Sequence, residues 1–177
     1  MAHNRFYSLT GAIVLLLACL AMPRASRAQA AAYGEFSVSD LHNLTSTDIL
    51  YGATVGVLID GPSTKHFILS GDLQGRFVHK SGEGLDGLTI GPRISIPMKH
   101  GLVPYGEFMV GFARYNNPNN GGATTDSTIQ ANVGVGKKIS PHFDLVADYS
   151  YSQYYALGGQ YNPKTFSIGA IYHFSKR

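Results

Sequence analysis

Residues 65–77 (KHFILSGDLQGRF) alternate with period two. Phe67, Leu69, Leu73 and Phe77 fall on one face, and Ser70, Asp72, Gln74 and Arg76 on the other. The pattern recurs. Leu88, Ile90, Ile94 and Ile96 oppose Thr89, Arg93 and Ser95; Ile129, Ala131, Val133 and Val135 oppose Gln130, Asn132 and Lys138. Phe143, Leu145, Ala147, Tyr149 and Tyr151 oppose Asp144, Asp148, Ser150 and Ser152, and Phe166, Ile168, Ala170, Tyr172 and Phe174 oppose Thr165, Ser167, Gly169 and His173. Repeated half-apolar strands of this length close most simply into a barrel. A soluble barrel would turn the apolar face inward. A membrane barrel turns it outward to lipid, because only a closed sheet satisfies every backbone N–H and C=O in hydrocarbon.

The first thirty residues, the charges on the polar face and the placement of the aromatics together decide between the two. Arg5 marks a basic n-region, the apolar run 9–22 an h-region, and Pro23 ends that run before Ala28-Gln29-Ala30, a small-residue cleavage site. The run is short for a membrane span. Residues 1–30 are therefore read as a cleaved export signal and 31–177 as the mature domain. Leu16-Leu17-Ala18-Cys19 loosely resembles a lipidation site, but its apolar sequence continues past Cys19, so the cysteine is expected to leave with the signal.

Cleavage changes the electrostatic balance. The signal takes Arg5, Arg24 and Arg27 with it, leaving 11 Lys/Arg against 11 Asp/Glu. A neutral chain without a basic stripe offers no nucleic-acid footprint. Loss of the one cysteine removes disulfide and thiolate chemistry.

The remaining 147 residues suit one domain of eight strands of about ten residues each. The strands are placed at 33–39, 49–60, 65–79, 87–98, 102–115, 128–139, 142–155 and 165–174. Long polar loops at 40–48, 80–86, 116–127 and 156–164 are expected to alternate with short turns at 61–64, 99–101 and 140–141. This is the parity of a barrel with both termini in the periplasm. Aromatics near strand ends suggest two girdles at the headgroup levels. Phe67, Tyr105, Phe143, Tyr172 and Phe174 would form the periplasmic one; Tyr51, Phe77, Tyr115, Tyr151 and Phe166 would form the outer one. Pro92 and Pro104 each remove a ladder donor and are expected at bulges or strand ends.

Polar residues on the inward face carry what chemistry the chain offers. Asp72, Arg76, Arg93, Glu107, Lys138 and Asp148 are expected to form a charge network that plugs a lumen only just wide enough for its side chains. Asp144 is placed at a solvated rim. Tyr154, Tyr155 and Tyr161 are assigned to the outer girdle. For catalysis, His173 and Ser175 share a face, but no orienting acid is identified for them; His42, His66, His79, His100 and His142 lack ligand spacing. Catalytic residues, cofactor and metal are accordingly expected to be absent.

The stretch 133–149 (VGVGKKISPHFDLVADY), with its Gly-x-Gly strand, Ser-Pro turn and acidic strand end, resembles the penultimate hairpin of the OmpA-like, opacity-type outer-membrane β-barrel family. Residues 103–112 (VPYGEFMVGF) are similar to its central Pro-Tyr strand, and 171–174 (IYHF) to its last strand. Members commonly finish on the terminal aromatic, whereas Ser175, Lys176 and Arg177 follow Phe174 here. The resemblance implies an all-β, eight-stranded up-and-down barrel in the outer membrane. It implies outer-membrane lipid, lipopolysaccharide and the barrel assembly machinery as partners. The expected role is non-enzymatic: envelope integrity, or surface contact through loops 40–48 and 116–127. The alternatives are a small pore for small or hydrophobic solutes and a soluble periplasmic ligand-binding barrel.

Overall fold

The computed structural model describes residues 29–42, 47–117, 122–156 and 159–175. Residues 1–28, which hold most of the expected export signal and Cys19, and residues 43–46, 118–121, 157–158 and 176–177 lie outside them. Eight antiparallel staves form the barrel: β1 (Ala30–His42), β2 (Thr47–Ser63), β3 (Ile68–Lys80), β4 (Glu83–Ser95), β5 (Leu102–Asn117), β6 (Gly122–Lys138), β7 (Phe143–Ala156), and an eighth broken into β8 (Gly159–Tyr161) and β9 (Lys164–His173). The break falls at Asn162-Pro163, where proline has no donor to give, yet both pieces keep one register against β7. Each stave pairs with the next, and β9 pairs with β1 to close the ring. Following the registers around from Asp40 leads back to Ala30, a stagger of ten residues that fixes the tilt of the strands.

The faces divide as the alternation demands. Phe36, Val55, Leu73, Leu88, Phe108 and Ile168 stand out from the ring, each 46–59% exposed. Ser37, Thr54, Gln74, Thr89, Gln130 and Ser167 are buried inside it. A soluble protein could not carry such a belt of outward apolar side chains around its whole circumference. Phe67, Phe143, Tyr172 and Phe174 rim one end of the belt, and Tyr51, Phe77, Tyr151 and Phe166 the other.

Several expectations are corrected. Tyr105 and Tyr154 are buried inside the barrel, and Tyr115 packs against an internal apolar cluster, so none belongs to a girdle. Parity explains this: Tyr105 lies two residues from inward Glu107, and Tyr154 two from inward Ser152. The strands also run further than their polarity suggested, absorbing most of the loops expected at 40–48, 116–127 and 156–164. Backbone pairing does not require apolar side chains once a neighbouring edge is present. The loop expected at 80–86 is the two-residue turn Ser81-Gly82, with φ of 48° and 90°, the positive values that match the twist of a tight hairpin. At Pro92 there is no bulge: the β4–β5 ladder merely skips Gly91 and Pro92 between Ile90↔Val110 and Arg93↔Glu107. The register shift lies instead in β2, between Asp60 and Ser63.

Candidate functional site

Inward side chains fill the lumen in three layers. Towards the loop end, Leu41, Leu50, Val78, Leu85, Ala113 and Tyr154 form an apolar cap. Towards the termini, Ala31, Leu58, Val146 and Ile171 pack with the rings of Tyr33 and Tyr105. Between the two lies a continuous network of buried polar side chains.

Arg76 Nε donates to Thr54 Oγ1 at 3.2 Å, and its Nη1 donates to Gln130 Oε1 at 3.4 Å and Thr165 Oγ1 at 3.3 Å. Gln130 Nε2 donates onward to Gln74 Oε1 at 2.7 Å and Asn132 Oδ1 at 2.8 Å. Asn132 Nδ2 donates to Glu107 Oε2 at 2.6 Å, and Glu107 Oε1 pairs with Arg93 Nη1 at 3.2 Å. The Arg93 guanidinium also lies 3.5 Å from the centroid of the Tyr105 ring, a cation–π contact strengthened by desolvation. Tyr105 Oη donates to Asp148 Oδ2 at 3.3 Å, and Tyr33 Oη to Asp72 Oδ1 at 3.0 Å. A void lined by Arg76, Thr89, Thr128, Gln130, Tyr154 and Leu85 has room for about one water molecule.

Of the residues expected in the lumen, Asp72, Arg76, Arg93, Glu107 and Asp148 are buried there and brought together. Lys138 has the inward parity but lies exposed at the rim of β6, beyond the packed layers. Asp144, expected to be solvated, is buried and takes His173 Nε2 at 3.0 Å. It is thus the orienting acid that the sequence did not reveal. The other ring nitrogen of His173, Nδ1, is buried without a hydrogen-bond partner, and no hydroxyl of the described residues is hydrogen-bonded to the ring. Among the described residues, no group of three or more His, Cys, Asp or Glu side chains is arranged to hold a metal ion.

Sequence reasoning missed Tyr33, Glu35 and Tyr105 as luminal residues, although the chain carries a signal for them. Tyr33-Gly34-Glu35-Phe36 in β1 recurs as Tyr105-Gly106-Glu107-Phe108 in β5. Ala53-Thr54-Val55-Gly56-Val57 in β2 recurs as Ala131-Asn132-Val133-Gly134-Val135 in β6. The pairings repeat too, Tyr33 facing Gly56 and Tyr105 facing Gly134. In both copies the tyrosine ring lies across the glycine, where any Cβ would strike it. Gly134→Ala is therefore expected to cost about 1–3 kcal/mol by overpacking, read as a lower urea midpoint of the folded barrel in micelles.

The family described as outer membrane protein beta-barrel domain matches residues 12–174. Among solved structures, Neisserial surface protein A aligns over 84% of this chain and 100% of its own, at 13% identity and a TM-score of 0.63. Ail, the attachment invasion locus protein of Yersinia pestis, aligns over the same shares at 13% identity and a TM-score of 0.58. No curated protein sequence matches. At these identities the structural likenesses speak for the fold alone, the closed eight-stranded transmembrane barrel. Together with the family match across the barrel, they identify the chain as a member of the outer membrane protein β-barrel domain family and a protein of the outer membrane.

Proposed function

We propose that this protein is a sealed, non-enzymatic outer-membrane barrel that serves envelope integrity or surface contact rather than conduction. The observation that carries this reading is the filled lumen: an apolar cap over a hydrogen-bonded polar layer of buried side chains. A barrel of eight strands is only just wide enough for its side chains to fill, and here they fill it. Two solved neighbours carry the names surface protein and attachment invasion locus protein, which supports contact at the cell surface. Lipid and lipopolysaccharide against the apolar belt, the assembly machinery, and a surface ligand at 40–48 and 116–127 are the partners this reading implies. The mature chain would begin at Ala31, already paired with Leu58 and His173 at the start of β1.

Planar-bilayer recording of the refolded mature protein tests the reading, with almost no current expected. Sustained stepwise conductance would favour the pore alternative instead. Protease shaving of intact cells should cut within 116–127 and leave the belt strands protected.

A further inference from the structure

Residues 94–106 and 127–143 contain no aspartate or glutamate, yet they carry Lys99, His100, Lys137, Lys138 and His142. The fold brings the two stretches together at the end of the barrel where both termini lie. Leu102 pairs with Lys137 in the β5–β6 ladder, and the turn Lys99–Gly101 lies against the end of β6. Positive φ at His100 and Gly101, 63° and 72°, lets the chain double back there. A Cβ on Gly101 would come within 3.2 Å of Lys138 Cβ.

Lys137 stands among apolar neighbours. Its register makes it an outward residue: Val135 and Ile139 flank it along β6, Leu102 and Leu145 face it from the adjacent staves, and all four are exposed. It lies one outward step inside the level of Phe143, whose ring packs on Tyr172 in the aromatic rim. A lysine so framed lays its methylenes along the apolar surface and turns its ammonium to the aqueous edge. Here Lys137 Nζ donates to the His100 carbonyl, beside the exposed Lys99. An ammonium has three donors, so two remain, at an edge with apolar walls and no carboxylate on either stretch. Lys138 has inward parity and faces Asp144 in register, so Lys99 and Lys137 carry the charge of this edge.

The partner that fits is an amphiphile with a negative head. Apolar walls take acyl chains, and two cations without an acid favour a net-negative headgroup over one that carries its own ammonium. In a barrel whose short turns lie in the periplasm, this three-residue turn meets the inner leaflet. We propose that Lys99 and Lys137 form a headgroup site for an anionic phospholipid of that leaflet, with its phosphate on the two ammonium groups and its acyl chains over Leu102, Val135 and Leu145. The site lies at the end away from the surface loops and does not depend on which surface partner the barrel meets.

Native mass spectrometry of the refolded barrel, released from micelles with equal phosphatidylglycerol and phosphatidylethanolamine, tests it. A preference of about fivefold or more for phosphatidylglycerol is expected, the effect of a lysine at an anionic membrane surface. It should fall to near parity in Lys99→Gln/Lys137→Gln and survive in Lys137→Arg. Arg114→Gln, on an exposed side chain at the opposite end, should leave it unchanged. Parity in the wild type would overturn the site, as would a preference that outlives the double variant or falls equally in Arg114→Gln. Lysine-dependent co-sedimentation with purified cell-wall sacculi, without a lipid preference, would assign the edge to the wall and refute the proposal. Unboiled gels check that each variant is folded. Should the double variant not fold, the single ones decide: each must lose part of the preference, and no loss in either sinks the site.

Discussion

Replacing Arg93 by methionine is expected to destabilise the folded barrel by about 3–5 kcal/mol, the cost of stranding a buried charge. Glu107 would keep Asn132 as a donor, and Tyr105 would lose the cation over its ring. The double variant Arg93→Met with Glu107→Gln should recover most of that loss, because the charge needing compensation leaves with its partner. The two changes are therefore strongly non-additive. The chain contains no tryptophan, so urea unfolding in micelles is best followed by circular dichroism or by the folded-to-unfolded shift on unboiled gels.

The second large effect lies on the other face. Ile168 stands outward, 55% exposed, in the middle of β9. Ile168→Arg is expected to cost about 2–4 kcal/mol near the bilayer midplane, where a cation meets hydrocarbon. The adjacent Ser167→Ala, inside the ring, removes one hydroxyl bonded to Ser37 at 3.0 Å and should cost only about 1 kcal/mol. The measurement is unfolding from lipid vesicles. If the neighbouring inward position proved the more sensitive to charge, the outward orientation of the apolar face would be refuted.

Period-two alternation located the strands and sorted their faces, because a one-residue error would move every side chain of a strand to the wrong face; which face lay inside had to come from the export signal, the charges on the polar face and the placement of the aromatics. It served best at mid-strand, where Ser70, Asp72, Gln74 and Arg76 read as inward and are inward. It served worst near strand ends, where position was weighed above parity. Tyr105 and Tyr154 went to the girdles because they are aromatic and near an end, though the inward register runs straight through them. The internal apolar cap was not legible for a related reason. Leu41, Leu50, Val78 and Leu85 sit where a polar lumen was expected, and only the three-dimensional stagger brings them to one level. Strand length was underestimated because Gly, Ser and Thr mark turns in short soluble sheets, whereas here Ser and Thr fill the ring and the strands continue through them.

The apolar cap also governs how the barrel answers to its medium. Mobile counter-ions damp an attraction only where they can approach it, and damping at a rim grows as electrolyte is added. Beneath Leu50, Val78 and Tyr154 they are kept away from the Arg93–Glu107 pair. The core of the barrel should thus hold equally well in fresh and in briny surroundings, while the exposed contact between His79 and Asp86 at its edge fades with salinity.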